Sequence, residues 1–204
     1  TMVESIAIME YLMGRYGPTK LAPTPSDPRY PGYLQFMLLG EAGLATAVYY
    51  VFGARHIAPP DQRENWTAGQ ALRGFGTRMR LVKRQLARAP YMAGEAFTAA
   101  DISVSYALLL SKRAGGIVLD EATKEYLART TARDAYKRAL DVCTGGGSIA
   151  IAMAVHQPGW QVDALDLSPE ALSLAQENRA ALGLQDRLRL LESDLFAALG
   201  DERY

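Results

Sequence analysis

The residues best suited to chemistry lie between Leu140 and Ser148. There Leu140-Asp141-Val142-Cys143-Thr144 meets three consecutive glycines, Gly145-Gly146-Gly147, and an apolar run reopens at Ile149-Ala150-Ile151-Ala152-Met153. Glycines at such a turn let the backbone take positive φ and approach a ligand closely, and a helix starting behind them presents free N–H groups. A further acid, Asp166, follows the turn by about 20 residues, the interval at which a carboxylate can accept hydrogen bonds from ribose hydroxyls. The glycine turn alone is weak evidence; joined to that acid it indicates a nucleotide-type site. The spacing Gly145-x-Gly147-x-x-Ala150 departs from the dinucleotide fingerprint at its last position, where alanine is sometimes allowed.

Positioning these residues takes a repeated strand, turn and helix. A strand is expected over 139–142, a helix over 148–156 and a turn at Pro158-Gly159. The next strand is Gln161-Val162-Asp163-Ala164-Leu165-Asp166-Leu167, with Asp166 near its carboxyl end. Ser168-Pro169-Glu170 opens the following helix in good order, with a serine N-cap, proline at N1 and an acid in the first turn. It stops at Gly183, and Leu188-Arg189-Leu190-Leu191 makes a third strand ahead of Glu192-Ser193-Asp194-Leu195-Phe196. Such alternation implies parallel strands with right-handed crossovers and ligands at the strands' carboxyl ends. Cys143 is expected as a small buried residue at the strand end and not as a nucleophile. His56 and His156 lack any ligand spacing, and no metal site is expected.

The first 140 residues have a different character. Glu4-Ser5-Ile6-Ala7-Ile8-Met9-Glu10-Tyr11-Leu12 has helical periodicity, with Ser5 where an N-cap belongs. Five prolines, at 18, 23, 25, 28 and 31, mark an extended linker over 18–31. A second helix is expected over 32–54 and a long third to Arg88, opened by the capping-box spacing Asp61-Gln62-Arg63-Glu64. Its Arg78, Arg80, Lys83, Arg84 and Arg88 are expected to form a solvated face. In Phe97-Thr98-Ala99-Ala100-Asp101-Ile102 a capping box and a hydrophobic staple coincide, making Asp101 a folding residue. Further helices are expected over 120–130 and 132–140.

Of the 204 residues 49% are hydrophobic and 22% charged, which argues against disorder. The net charge of zero conceals an asymmetry: residues 1–140 hold 18 Lys and Arg against 12 Asp and Glu, and 141–204 hold 4 against 10. Two independently evolved pieces are expected from that contrast. Neither is basic enough to argue for nucleic acid by charge alone. A single cysteine excludes an intrachain disulfide framework and, with no visible secretion signal, leads to a cytoplasmic expectation. Gly40, Glu41 and Gly43 interrupt the least polar stretch, so no membrane span is expected. The start at Thr1 in mid-pattern and the end at Tyr204 without a closing element are what a fragment would show.

The Glu4–Leu12 motif, the proline-rich linker and Gly94-Glu95-Ala96-Phe97-Thr98-Ala99-Ala100-Asp101-Ile102 together resemble the cytosolic glutathione S-transferases, over nearly all of residues 1–140. The resemblance implies that 1–17 ends a thioredoxin-like domain and that 32–140 is the all-α helical domain. It also implies that Glu4 and Ser5 hold the γ-glutamyl end of glutathione as co-substrate; a plain N-cap role for Ser5 stays open. The strands of the thioredoxin-like domain, and the Tyr, Ser or Cys that would stabilise a thiolate, are missing from the sequence.

The words around the glycines, around Asp166-Leu167-Ser168-Pro169 and around Glu192-Ser193-Asp194 resemble the class I S-adenosylmethionine-dependent methyltransferases that modify protein glutamine at N5. The Cys143-Thr144 pair resembles the ribosomal-protein branch. This covers 141–204 and implies a partial, Rossmann-like α/β sheet. By it Asp141, Thr144, Gly145 and Gly147 line the methionine end of S-adenosylmethionine, Asp166 holds the ribose, and Ser193 and Asp194 flank the adenine. Gly146 and Ser148 replace the usual Ser and Cys of the turn. The family's Asn-Pro-Pro-Tyr motif does not occur, so a catalytically incomplete transferase is expected. The partners expected are the two small molecules, a ribosomal-protein methyl acceptor and a second copy in a homodimer, with no membrane and no direct nucleic acid. A non-catalytic glutathione-transferase-like binding module, or two coding sequences joined with no single function, stay open as alternatives.

Overall fold

Between its first and second helices the chain is held out of regular structure by the prolines, each of which fixes φ and removes a donor. The computed structural model describes residues 3–114 and 117–200, which fall into two units, Thr1–Thr130 and Thr131–Tyr204. In the first, α1 (Ser5–Tyr16) runs through Gly14 and ends at Gly17. The expected serine cap is corrected: Glu4, at φ 75°, occupies the N-cap without a side-chain cap hydrogen bond, and Ser5 is the first helical residue.

Helices α2 (Tyr30–Leu38) and α3 (Thr46–Phe52) are joined by a π-helical stretch, Leu39–Ala45, and a second one, Gly53–Ile57, follows. The continuous course Tyr30–Ile57 is long and apolar enough to cross a membrane by length and composition. Its Tyr33, Phe36, Met37, Leu44, Val48 and Val51 nevertheless belong to the buried core of this unit. The widened turn lies where Ser103 of α5 (Ala99–Ala114) donates to the Met37 carbonyl at 2.7 Å, and a hydroxyl engaging the ladder is a recognised cause of such distortion. Gly40 is required there, because a Cβ would collide with the Ser103 backbone and hydroxyl.

The long helix α4 (Trp66–Leu86) starts later than its expected box: Asp61 lies in a single 3₁₀ turn, Pro60–Gln62, and Asn65 is the cap, accepting from the Ala68 N–H at 2.9 Å. Ala68, Phe75, Met79 and Val82 give α4 its buried stripe. At the start of α5 the Asp101 carboxylate accepts from the Thr98 and Met92 N–H groups, both at 2.8 Å, and from the Tyr126 hydroxyl of α6 (Glu121–Thr131) at 3.0 Å. Asp101 therefore ties three segments together from a fully buried position, as a folding residue should. Phe97 packs edge-on against Tyr91, and Ile102 is exposed.

In the second unit β1 (Arg138–Val142), β2 (Gln161–Asp166) and β3 (Leu188–Glu192) form a parallel sheet in that order, with Asp141 opposite Ala164 and Asp166 opposite Glu192. Helices α7 (Ser148–His156) and α8 (Pro169–Ala181) make the crossovers. Ala150 and Ala154 of α7 pack with Val162, Ala164, Leu184 and Leu188 in its core. The helix expected over 132–140 is replaced by a 3₁₀ turn, Asp134–Lys137, and by β1. Ladder pairing of Ala139 with Val162 and of Leu140 with Asp163 overrides the weak local preference. Tyr136 packs edge-on against Trp160, which joins the residues ahead of β1 to the sheet unit, and the division between the units falls at Thr130/Thr131.

Candidate functional site

Parallel pairing brings the carboxyl ends of β1, β2 and β3 to one edge of the sheet, and Asp141, Thr144, Gly145, Gly147, Asp166, Ser193 and Asp194 gather there. From β1 the chain continues the ladder for one more bond, Thr144 N–H to the Leu165 carbonyl at 2.9 Å, and then turns. The turn closes with the Gly147 N–H on the Thr144 carbonyl at 3.0 Å, and Gly147, at φ 83°, is the N-cap of α7. A side chain at Gly147 would be strained by that φ and would stand 3.2 Å from both Ala175 Cβ and Ile151 Cδ1. Glycine here lets the start of α7 lie directly on α8.

The two acids have separate tasks. Asp141 is buried, and its Oδ2 accepts from Thr144 Oγ1 at 2.7 Å and from the Ala150 N–H at 3.1 Å, so it braces the turn against the first turn of α7. Asp166 is partly exposed; it accepts the Ser168 N–H on Oδ1 at 3.0 Å and the Gly145 N–H on Oδ2 at 2.8 Å. These backbone donors, Ser168 first and Gly145 second, hold its carboxyl below the usual carboxylate range. A carboxylate offers about four lone-pair positions. With one backbone donor on each oxygen, both oxygens keep acceptor capacity for a diol.

At the end of β3 the Ser193 N–H bonds the Asp166 carbonyl at 2.9 Å; the Ser193 hydroxyl donates to the Leu195 carbonyl at 2.8 Å and accepts from the Ala198 N–H at 3.0 Å. Ser193 is buried in this turn and Asp194 is exposed beside it. Cys143 departs from expectation: it is exposed, at φ 60°, because the chain leaves the strand at that residue to enter the turn. Asn178 of α8, which no local pattern singles out, donates to the Gly146 carbonyl at 2.9 Å and fixes the middle of the turn. Its signal is purely spatial, since it stands 32 residues away. Glu4 and Ser5 belong to the other unit, where both are exposed at the start of α1. Among the described residues no group of three His, Cys, Asp or Glu is placed to hold a metal.

Residues 116–204 match the family described as the methyltransferase small domain. The ribosomal protein uL3 glutamine methyltransferase of Xanthomonas campestris pv. campestris is 54% identical over 67 residues, covering 33% of this chain and 21% of that protein. The C-terminal part carries a methyltransferase domain. The protein of the same name from Bordetella pertussis is 35% identical over 165 residues, 78% of this chain and 53% of its own length. The chain thus spans about half or less of these two relatives. The theta-class glutathione S-transferase of Xanthomonas axonopodis pv. citri superposes on 67% of this chain and 72% of its own at a TM-score of 0.56 and 22% identity, which shows that the helical unit has a glutathione-transferase fold. The methyltransferase family match begins at residue 116, inside the helical unit, and an alignment over 78% of the chain must reach further into that unit, so the two likenesses overlap there.

Proposed function

We propose that the methyltransferase domain binds S-adenosylmethionine at the carboxyl edge of its sheet, in the service of glutamine methylation on a ribosomal protein. The observation that carries this is the Asp166 carboxylate, ionised and held by two backbone donors at the end of β2, beside a turn whose glycines bring the backbone close. The donor set suits the cofactor. Asp166 would take the ribose hydroxyls, Thr144, Gly145 and Gly147 the methionine end with Asp141 bracing them, and Ser193 and Asp194 the adenine. When bound, the cofactor supplies an electrophilic methyl group on a sulfonium.

The chain's part is to bind and orient. In-line transfer also requires the acceptor amide to be fixed; the residues named above are assigned to the cofactor, so cofactor binding is the step proposed for them. The acceptor is taken from the name of the relatives, and a cytoplasmic location agrees with it. Isothermal titration of the folded chain with S-adenosylmethionine should show binding that Asp166→Asn weakens by about tenfold or more, since a hydrogen bond to a charged group contributes roughly 1.5–3 kcal/mol. Absence of heat with the folded wild-type chain would sink the reading.

In the helical unit, the γ-glutamyl end of glutathione is proposed to meet the start of α1, where no side chain caps the first N–H groups and Glu4 and Ser5 stand exposed. Retention on glutathione resin, lost in Ser5→Ala, is the expected outcome; retention unchanged by that substitution would count against Ser5.

A further inference from the structure

Helix α4 carries Arg73, Arg78, Arg80, Lys83 and Arg84 and not one acidic residue. At about 100° per residue, positions 66, 70, 73, 77, 80 and 84 fall within roughly 40° of one line along the helix, opposite the buried Ala68, Phe75, Met79 and Val82. That outer line is occupied by Trp66, Gln70, Arg73, Thr77, Arg80 and Arg84, all of them exposed. It is about 27 Å long at 1.5 Å per residue. Arg73 donates to Gln70 at 3.2 Å and Arg80 to Thr77 at 3.1 Å, neutral partners that set the guanidinium groups in place without compensating their charge. Of the nearby cations Lys83 is paired, with Asp120 at 2.8 Å, and it lies to one side of the line.

Trp66 is the element that charge counting misses. It heads the line with 74% of its surface exposed, a large apolar ring left in water at one end of a row of three arginines. A row of guanidinium groups with an exposed aromatic platform is the combination that binds single-stranded nucleic acid: phosphates meet the cations and an unstacked base covers the ring. A lipid surface would call for an apolar face, and the remaining positions of the line are Gln, Thr and Arg. We infer that the outer face of α4 is a binding surface for single-stranded nucleic acid, Trp66 stacking on a base and Arg73, Arg80 and Arg84 pairing with phosphates. This proposal runs counter to the expectation of a merely solvated face and of no direct nucleic acid, and it is independent of the cofactor proposal.

Fluorescence anisotropy of fluorescein-labelled 12-nucleotide oligouridylate and oligothymidylate with the full chain tests it. Binding to either probe at low salt is expected, falling as salt rises by about 0.7 log units per log unit of salt for each phosphate contacted. Arg80→Glu with Arg84→Glu should weaken binding about tenfold or more, and Trp66→Ala about fivefold or more, with circular dichroism unchanged because every position is exposed. In a Trp160→Phe background the oligonucleotide should quench the fluorescence of Trp66. No anisotropy change with either probe overturns the inference. So does wild-type affinity in Trp66→Ala with full competition by polyphosphate, which would make the face a general polyanion surface. Sedimentation with phosphatidylglycerol vesicles that neither oligonucleotide reverses would make it a lipid surface instead.

Discussion

Replacing Asp101 with alanine should destabilise the helical unit more than any surface change. The wild-type carboxylate sits at 0% exposure and satisfies the Met92 N–H, the Thr98 N–H and the Tyr126 hydroxyl, the last on a side chain also at 0% exposure. Burial pushes the carboxyl upward and the four donors, the Thr98 hydroxyl included, pull it back; burial is the larger effect. Asp101→Ala removes the carboxylate acceptor of all four donors in a place water does not reach, and leaves the Tyr126 hydroxyl only its long contact with the Asp101 carbonyl at 3.5 Å. At about 1–3 kcal/mol for each orphaned donor, with incomplete additivity, the loss is roughly 3–5 kcal/mol. That is a large fraction of a domain's total stability of about 5–15 kcal/mol. Asp101→Asn keeps one acceptor oxygen but turns an amide N–H₂ toward a donor, for a loss of about 1–3 kcal/mol. Native-state hydrogen exchange read by mass spectrometry on peptides from 92–131 isolates this unit from the sheet. An alanine variant losing less than about 1 kcal/mol in those peptides, or no more than the asparagine variant, would refute the reasoning.

Two further outcomes follow from the geometry. Gly147→Ala adds a methyl group at φ 83° within 3.2 Å of Ala175 and Ile151, so it should lower the thermal midpoint of the sheet unit by several degrees and abolish any shift induced by S-adenosylmethionine; differential scanning fluorimetry with and without the cofactor decides this. Lys83, foremost, and the Thr123 hydroxyl hold the Asp120 carboxyl at about 2, below its reference value of 3.8. A depressed carboxyl contributes stability that is present above the unfolded value and is lost as pH falls through the folded one, so this contribution fades between roughly pH 4 and pH 2. Asp120→Asn should therefore cost stability at pH 5 and little at pH 2; equal urea midpoint shifts at both pH values would show that Asp120 does not act through its charge.

Much of the sheet unit was legible because its signals are local. Ser168-Pro169-Glu170 announces a helix start by capping chemistry alone, and Ser168 does accept from the Ala171 N–H. Gly145 and Gly147 sit at positive φ, as the turn requires, and Asp166 ends β2 where the interval from the glycines placed it. Elsewhere the structure departs from the local pattern: the two prolines ahead of Asp61 hold it in a separate 3₁₀ turn, and Asn65 caps α4 in its place. Residues 132–140 have no strong preference of their own, so the ladder with β2 decided their state.

By itself, then, the sequence determined the two-part organisation, the order of strands and helices after residue 138, and the acids and glycines that make the candidate site. These rest on capping, periodicity and φ requirements, which act within a few residues. Only the tertiary structure decided the rest. It showed that Asp141 braces the turn while Asp166 keeps acceptor capacity, that Asn178 reaches the Gly146 carbonyl, and that Cys143 is turned out to solvent. It also aligned Trp66 with three arginines on the one face of α4 that the core leaves free. Those facts depend on which groups meet across long chain separations and which face a helix buries, and no local pattern of residue types carries that information.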